Sequence, residues 1–167
     1  MLSPKLILSP IDFSNFSINA LDTAKDLAEL YDSEILLLNV VPAIPDLPNN
    51  VSILREGTYE NELIARAKQH LETLANKLRQ AGVRVRSTVG LANDAAVEII
   101  RTAENEKADL IVISAHGATG CRTVAFGSVS EKVVHTAECP VLVLRIKAEA
   151  DSPAHKAEPA MAAVSAG

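Results

Sequence analysis

The sequence predicts an α/β protein: an open, doubly wound, five-stranded parallel sheet in the order 3-2-1-4-5, with helices on both faces. Three observations carry this. Short runs of Val, Ile and Leu alternate with amphipathic stretches along the 167 residues, the mark of βαβ units in series, which need parallel strands and right-handed crossovers. Aromatic residues make up only 3% of the chain and Trp is absent, so the core is aliphatic, as in strands buried on both faces. Apolar residues account for 48% and charged residues for 22%, an ordinary balance for one folded domain of this length.

Residues 5–10 (KLILSP) are a short apolar run ending in a proline and read as the first strand. After Asp12-Phe13-Ser14-Asn15, the residues Ile18, Leu21, Ala24, Leu27, Ala28 and Tyr31 recur at helical spacing. Residues 34–41 (EILLLNVV) are apolar almost throughout, as a strand with two dry faces must be. A second helix is read over residues 60–81, with Leu63, Ile64, Ala67, Leu71, Leu74, Ala75 and Leu78 on one face. Gly82 follows at the position of a left-handed cap. Residues 83–89 (VRVRSTV) alternate, which predicts a third strand with a wet face or at an edge. Asn93 or Asp94 caps a third helix running to Asn105, with Val97, Ile99, Ile100 and Ala103 inward. Residues 110–113 form the fourth strand, 128–137 the fourth helix and 141–146 the fifth strand. Two segments fall outside the alternation. Residues 42–59 contain Pro42, Pro45 and Pro48 and exceed the ~12–15 residues usual for a structureless connection, so a lid or a disordered loop is expected. Residues 148–167 are rich in Ala, Pro and Ser without apolar period; they read as a disordered tail, leaving residues 1–147 as the domain.

Several function classes are disfavoured at once. No apolar run approaches the ~18–20 residues that span a bilayer, and the first residues lack signal-peptide anatomy. A net charge of −5 argues against a general nucleic-acid or anionic-membrane binder, so any anion site must be local. Cys121 and Cys139 have no CxxC spacing, which implies free thiols, a reducing compartment and a cytoplasmic location. His70 and His135 are expected on helix surfaces and His155 in the tail; none has metal-ligand spacing. No GxxxxGK[ST] or GxSxG is present, and no GxGxxG follows the first strand.

In an open parallel sheet, ligands bind beyond the carboxyl ends of the strands where the strand order reverses. Here that point lies between the first and fourth strands, which end in Pro10-Ile11-Asp12 and Ile113-Ser114-Ala115. Asp12 and the segment after Ser114 therefore flank one crevice. That segment carries Gly117, Gly120 and Gly127 and opens a helix at Ser128. Glycines let backbone amides approach an anion closely, and a helix N-terminus favours negative charge. The Ser128 hydroxyl stands ready to donate to a phosphate oxygen. Ligand-free readings stay open beside this one. Ser128-x-x-Glu131 is a capping box, Asp12 an Asx-turn or helix cap, Val40 a core residue and Arg122 a solvated loop arginine.

Asp12-Phe13-Ser14, the long second connection, Gly90 after the third strand, and the block His116-Gly117 … Gly127-Ser128 … Cys139-Pro140-Val141-Leu142-Val143 resemble the universal stress proteins over residues 5–145. ATP-binding members carry Gly, any two residues, Gly, any nine, then Gly and Ser or Thr. Gly117, nine residues and Gly127-Ser128 match without a gap, and Ser114 stands at the first glycine position. The resemblance implies a regulatory, ATP-binding stress-response protein, any Mg²⁺ being carried by the triphosphate. It places Asp12 beside the adenosine, the Val40 backbone at the adenine edge, and the main chain of Gly117, Gly127, Ser128 and Val129 on ribose and phosphates. Pro10, Ser114, His116, Gly120, Arg122 and Ser130 complete the candidate site, with Arg122 toward the γ-phosphate. No positioned general base or phosphate-clamping lysine is legible, so hydrolysis is expected to be slow or absent, at most a weak ATPase. The apolar fifth strand, through Val141–Leu144, lies at a sheet edge that invites antiparallel pairing with a second copy, and the resemblance implies the same homodimer. The alternative is a nucleotide-independent dimeric module, chaperone-like, of the same family.

Overall fold

A computed structural model describes residues 3–43, 53–117 and 126–145. Its elements are β1 (Leu6–Pro10), α1 (Asn15–Tyr31), β2 (Glu34–Val41), α2 (Ile53–Gln80), β3 (Arg84–Leu91), α3 (Ala95–Glu106), β4 (Leu110–Ser114), α4 (Ser128–Thr136) and β5 (Val141–Leu144). Every strand pairing is parallel and the sheet order is β3-β2-β1-β4-β5, as expected.

Successive side chains of the inner strands point to opposite faces and feed two cores. Ile7, Ile35, Leu37 and Val112 pack with Leu21, Ala24 and Ala28 of α1 and with Leu71, Ala75 and Leu78 of α2. Leu8, Leu36, Leu38, Ile111 and Ile113 pack with Ala96, Ile99, Ile100 and Ala103 of α3 and Val133 of α4. Both faces are dry, which is why these strands read as unbroken apolar runs. Edge strand β3 alternates instead: Val85 is buried, while Arg84 and Arg86 are exposed. Arg86 is held by Glu34 of β2 at 3.2 Å and Glu106 of α3 at 2.7 Å. At the opposite edge, β5 is half-buried along its length, although its residues touch both cores.

The helix ends follow local chemistry. Ser14 caps α1, its side chain accepting from the Ser17 N–H. Asp94 caps α3 by accepting from the Ala96 and Val97 N–H groups. Gly82 adopts φ +88° after α2, the left-handed cap that glycine alone adopts without strain.

Four expectations need correction. The second helix starts at Ile53, not at Glu60, so residues 53–59 of the expected lid or loop are helical. Leu54, Arg55 and Glu56 are good helix formers, and extending an established helix gains a hydrogen bond per residue without a new nucleus. Residues 44–52 and the expected tail, 148–167, lie outside the described residues. Val97 faces solvent at 48% exposure, because Ala96, Ile99, Ile100 and Ala103 make the inward stripe and Val97 sits about a quarter turn away from it. Gly90 lies within β3 and not after it, paired with Val40; the Glu98 side chain lies against it. Finally, α4 has Gly127 at its cap position, with no side-chain cap bond. Ser128 is thus the first helical residue, and the capping box does not form.

Candidate functional site

The carboxyl ends of β1, β2 and β4 open on a cavity of about 370 Å³ at the reversal of strand order. β1 contributes Pro10 and leads into Ile11 and Asp12; β2 contributes Leu38, Asn39 and Val40. Ala95 and Ile99 of α3 cover one flank. Ile113, Ser114, Ala115 and Gly117 from the end of β4, with Gly127, Ser128, Val129 and Ser130, form the other. Sheet order therefore sets the end of β2 with Val40, the turn after β1 with Asp12, and the exit of β4 leading to α4 side by side along the cavity, while Ala95 and Ile99 of α3 add apolar surface.

The turn carrying Asp12 is tied down on both sides. The Ile11 N–H donates to Leu38 O at 2.8 Å, and Ile11 O accepts from Asn39 Nδ2 at 2.7 Å. Asp12 Oδ1 accepts from the Ser14 N–H at 3.0 Å and from Ser14 Oγ at 2.5 Å. Asp12 is thus an Asx-turn residue, as one open reading held. Its other oxygen faces Gly117 beyond β4: a Cβ built on Gly117 would lie 2.7 Å from Asp12 Oδ2. Glycine at 117 is what makes room for the carboxylate.

The far end of the cavity is built from main chain. Ser114 Oγ donates to His116 O at 2.7 Å, shaping the exit from β4. The Gly127 N–H donates to Ala115 O at 2.7 Å, and buried Ser130 Oγ bonds Ala115 O at 2.8 Å and Gly127 O at 2.9 Å. The Gly127 amide is therefore spent within the protein. Gly127 thus contributes shape to the lining through its fixed position beside Ala115. The first helical bond of α4 runs from the Glu131 N–H to Gly127 O, so the N–H groups of Ser128, Val129 and Ser130 have no partner within the helix. Among the described residues lining the cavity only Asp12 carries a formal charge. Asp94, just before Ala95, pairs with Lys132 of α4 at 2.5 Å and braces the two flanking helices. That hydrogen bond, with those from the Val97 and Ala96 N–H groups, holds the Asp94 carboxyl below its usual range. No group of His, Cys, Asp and Glu that would hold a metal ion occurs among the described residues.

The model of the universal stress protein family matches residues 4–145. The chain belongs to that family. It is 35% identical over 144 residues to the Methanocaldococcus jannaschii universal stress protein MJ0531, covering 84% of this chain and 82% of that one. It is 30% identical to MJ0577 of the same organism, over 86% of this chain and 96% of the relative. Among solved structures, that of MJ0577 superposes with a TM-score of 0.75 at 29% identity, over 89% of this chain and all of the other. A universal stress protein from Archaeoglobus fulgidus solved in complex with dAMP has a TM-score of 0.59 at 20% identity, over 86% of this chain and 98% of the other; at that distance only the fold is shared.

Of the residues singled out in the sequence, Pro10, Asp12, Val40, Ser114, Gly117, Gly127, Ser128, Val129 and Ser130 line the cavity. Val40 also packs on the α3–α4 core, so its core reading holds as well. His116 stands beside them, half-buried, its ring 6.3 Å from Phe16. Gly120, Arg122 and Cys121 lie outside the described residues. Cys139 is half-buried against the α3–α4 core, and burial pushes its thiol up from the usual value. Sequence reasoning missed Ser17, Leu38, Asn39, Ala95 and Ile99 in the lining. Asn39 had a signal: it is the one uncharged polar residue in an otherwise apolar strand. Ala95 and Ile99 had none, since an inward helical residue looks the same over a core and over a cavity.

Proposed function

We propose that this universal stress protein binds ATP in the cavity and acts as a nucleotide-dependent regulator, with hydrolysis slow or absent. One observation carries the reading. A helix start with three uncommitted N–H groups, at Ser128, Val129 and Ser130, opens on a cavity that also has apolar wall at Val40, Ala95 and Ile99 and presents the Asp12 carboxylate. Phosphates fit the first, a base fits the second, and sugar hydroxyls, which donate, fit Asp12, which accepts. The volume lies within the ~300–1,000 Å³ range of small-molecule sites. Solved family members in complex with dAMP and with cAMP agree in ligand class. The described lining supports slow turnover: Asp12 is the single carboxylate in it, and that side chain is engaged by Ser14. Heating with and without Mg-ATP tests the proposal. Ligand at 100 times its Kd adds about 2.7 kcal/mol, a rise in Tm of about 5–10 °C for a chain of this size. No rise at millimolar Mg-ATP would refute it and leave the nucleotide-independent module.

The protein is further proposed to be a cytoplasmic homodimer joined through β5. Val141–Leu144 is an apolar, half-exposed edge strand, a surface that pairing with a second copy would cover. Among the described residues no helix is long and apolar enough to cross a membrane. Sedimentation decides the dimer: a species at the chain mass of 17.8 kDa at micromolar concentration would refute it.

A further inference from the structure

Phe13, directly after Asp12, has φ 62°. A bulky residue persists in that left-handed region only where its surroundings over-determine it. Two restraints act on its chain neighbours: the ties of Ile11 to Leu38 and Asn39 of β2 on one side, and the bonds of Asp12 to Ser14 on the other. The third comes from another element. The Phe13 ring meets the ring of His70 on α2 edge-on, with centroids 5.3 Å apart and planes at 81°, a favourable arrangement for two rings. His70 itself is exposed and does not line the cavity. It stands between Ala67 and Leu71, whose burial anchors α2 on the core. Among the described residues, α2 thus meets the turn beside Asp12 through this ring pair.

We propose that His70 is a positioning residue for the nucleotide site. By holding the Phe13 ring against α2, it keeps the turn left-handed and so keeps the Asp12 carboxylate between Ser14 and Gly117, where a sugar would meet it. The inference rests on reading the cavity as a nucleotide site, and its test separates the two. His70 is exposed, so His70→Ala folds, which circular dichroism checks. Calorimetric titration with Mg-ATP is expected to show a loss of about three- to tenfold, the range an edge-on ring pair is worth. His70→Phe, which keeps a ring, restores the parental affinity. In an Asp12→Ala background the same His70→Ala change alters affinity by less than about twofold, the scatter of independent sites. Equal losses in both backgrounds, or no rescue by Phe, would overturn the proposal. A second measurement needs no ligand: hydrogen exchange at the Ser14 amide, which donates to Asp12 Oδ1, is faster in His70→Ala than in the parent. If the parent protein gives no heat with Mg-ATP, the nucleotide reading fails. The Ser14 amide then decides alone: faster exchange sustains the brace and unchanged exchange refutes it.

Discussion

At Gly117 the space of one methyl group determines where Asp12 can stand. A Cβ there would lie 2.7 Å from Asp12 Oδ2, closer than real contacts allow, whereas a Cβ on Gly127 would meet Ala115 O at 3.4 Å. The two glycines look equivalent in the motif, and the structure separates them. Gly117→Ala is expected to weaken Mg-ATP binding by about tenfold or more, the worth of one charge-assisted hydrogen bond. Gly127→Ala, with only an ordinary contact to make, should stay within about threefold of the parent. Calorimetry on both variants checks the contrast, and equal losses would contradict it. Asp12, Gly117 and Ser128 were legible because each follows a strand end or opens a helix, positions readable from local pattern. His70 was not, because its partner Phe13 lies far away in sequence and nothing near position 70 announces it.

Among the elements, α3 and α4 matter most to the cavity, since each presents its first turn to it. Asp94 caps α3 and pairs with Lys132 of α4, so a single carboxylate serves both helices. Both side chains of the pair are about half exposed, and the ion pair itself is screened by solvent. The pH dependence has a definite sign. Asp94 has its folded-state pKa lowered, chiefly by the Lys132 hydrogen bond. Its contribution is therefore complete above the ordinary aspartate range and is lost as the pH falls through the lowered folded value. Asp94→Ala is expected to lower Tm at neutral pH, and the gap from the parent should close in acid. A gap of constant size down to strongly acid pH would contradict this. At α4 the local pattern misled. Ser128-x-x-Glu131 fits a capping box, yet the cap position falls to Gly127, because the Gly127 N–H and the Ser130 hydroxyl both bond the end of β4. A tertiary contact overrode the local signal by one residue.

At the scale of the whole molecule, the net negative charge opposes the proposed triphosphate ligand. The net charge is −5, and the described lining adds a carboxylate but no lysine or arginine. Three backbone N–H groups and a helix dipole are a modest counterweight to a triphosphate. ATP is therefore expected to need Mg²⁺: chelation with EDTA should weaken ATP binding by about tenfold, while AMP, with less charge to offset, should change by less than about twofold. Calorimetry with both nucleotides, with and without EDTA, checks this, and equal effects on the two would count against it.

The sequence by itself determined the fold class, the strand order, the two-faced core of β1, β2 and β4, and the end of the sheet where a ligand would sit. All of these follow from apolar periodicity and the geometry of βαβ crossovers, which are local rules applied in series. Only the tertiary structure decided which amides at the start of α4 remain uncommitted, which face of α3 meets the cavity, and that the His70 ring on α2 meets Phe13, the residue beside Asp12. Those depend on atoms brought within a few ångströms by packing, and no spacing along the chain encodes such distances.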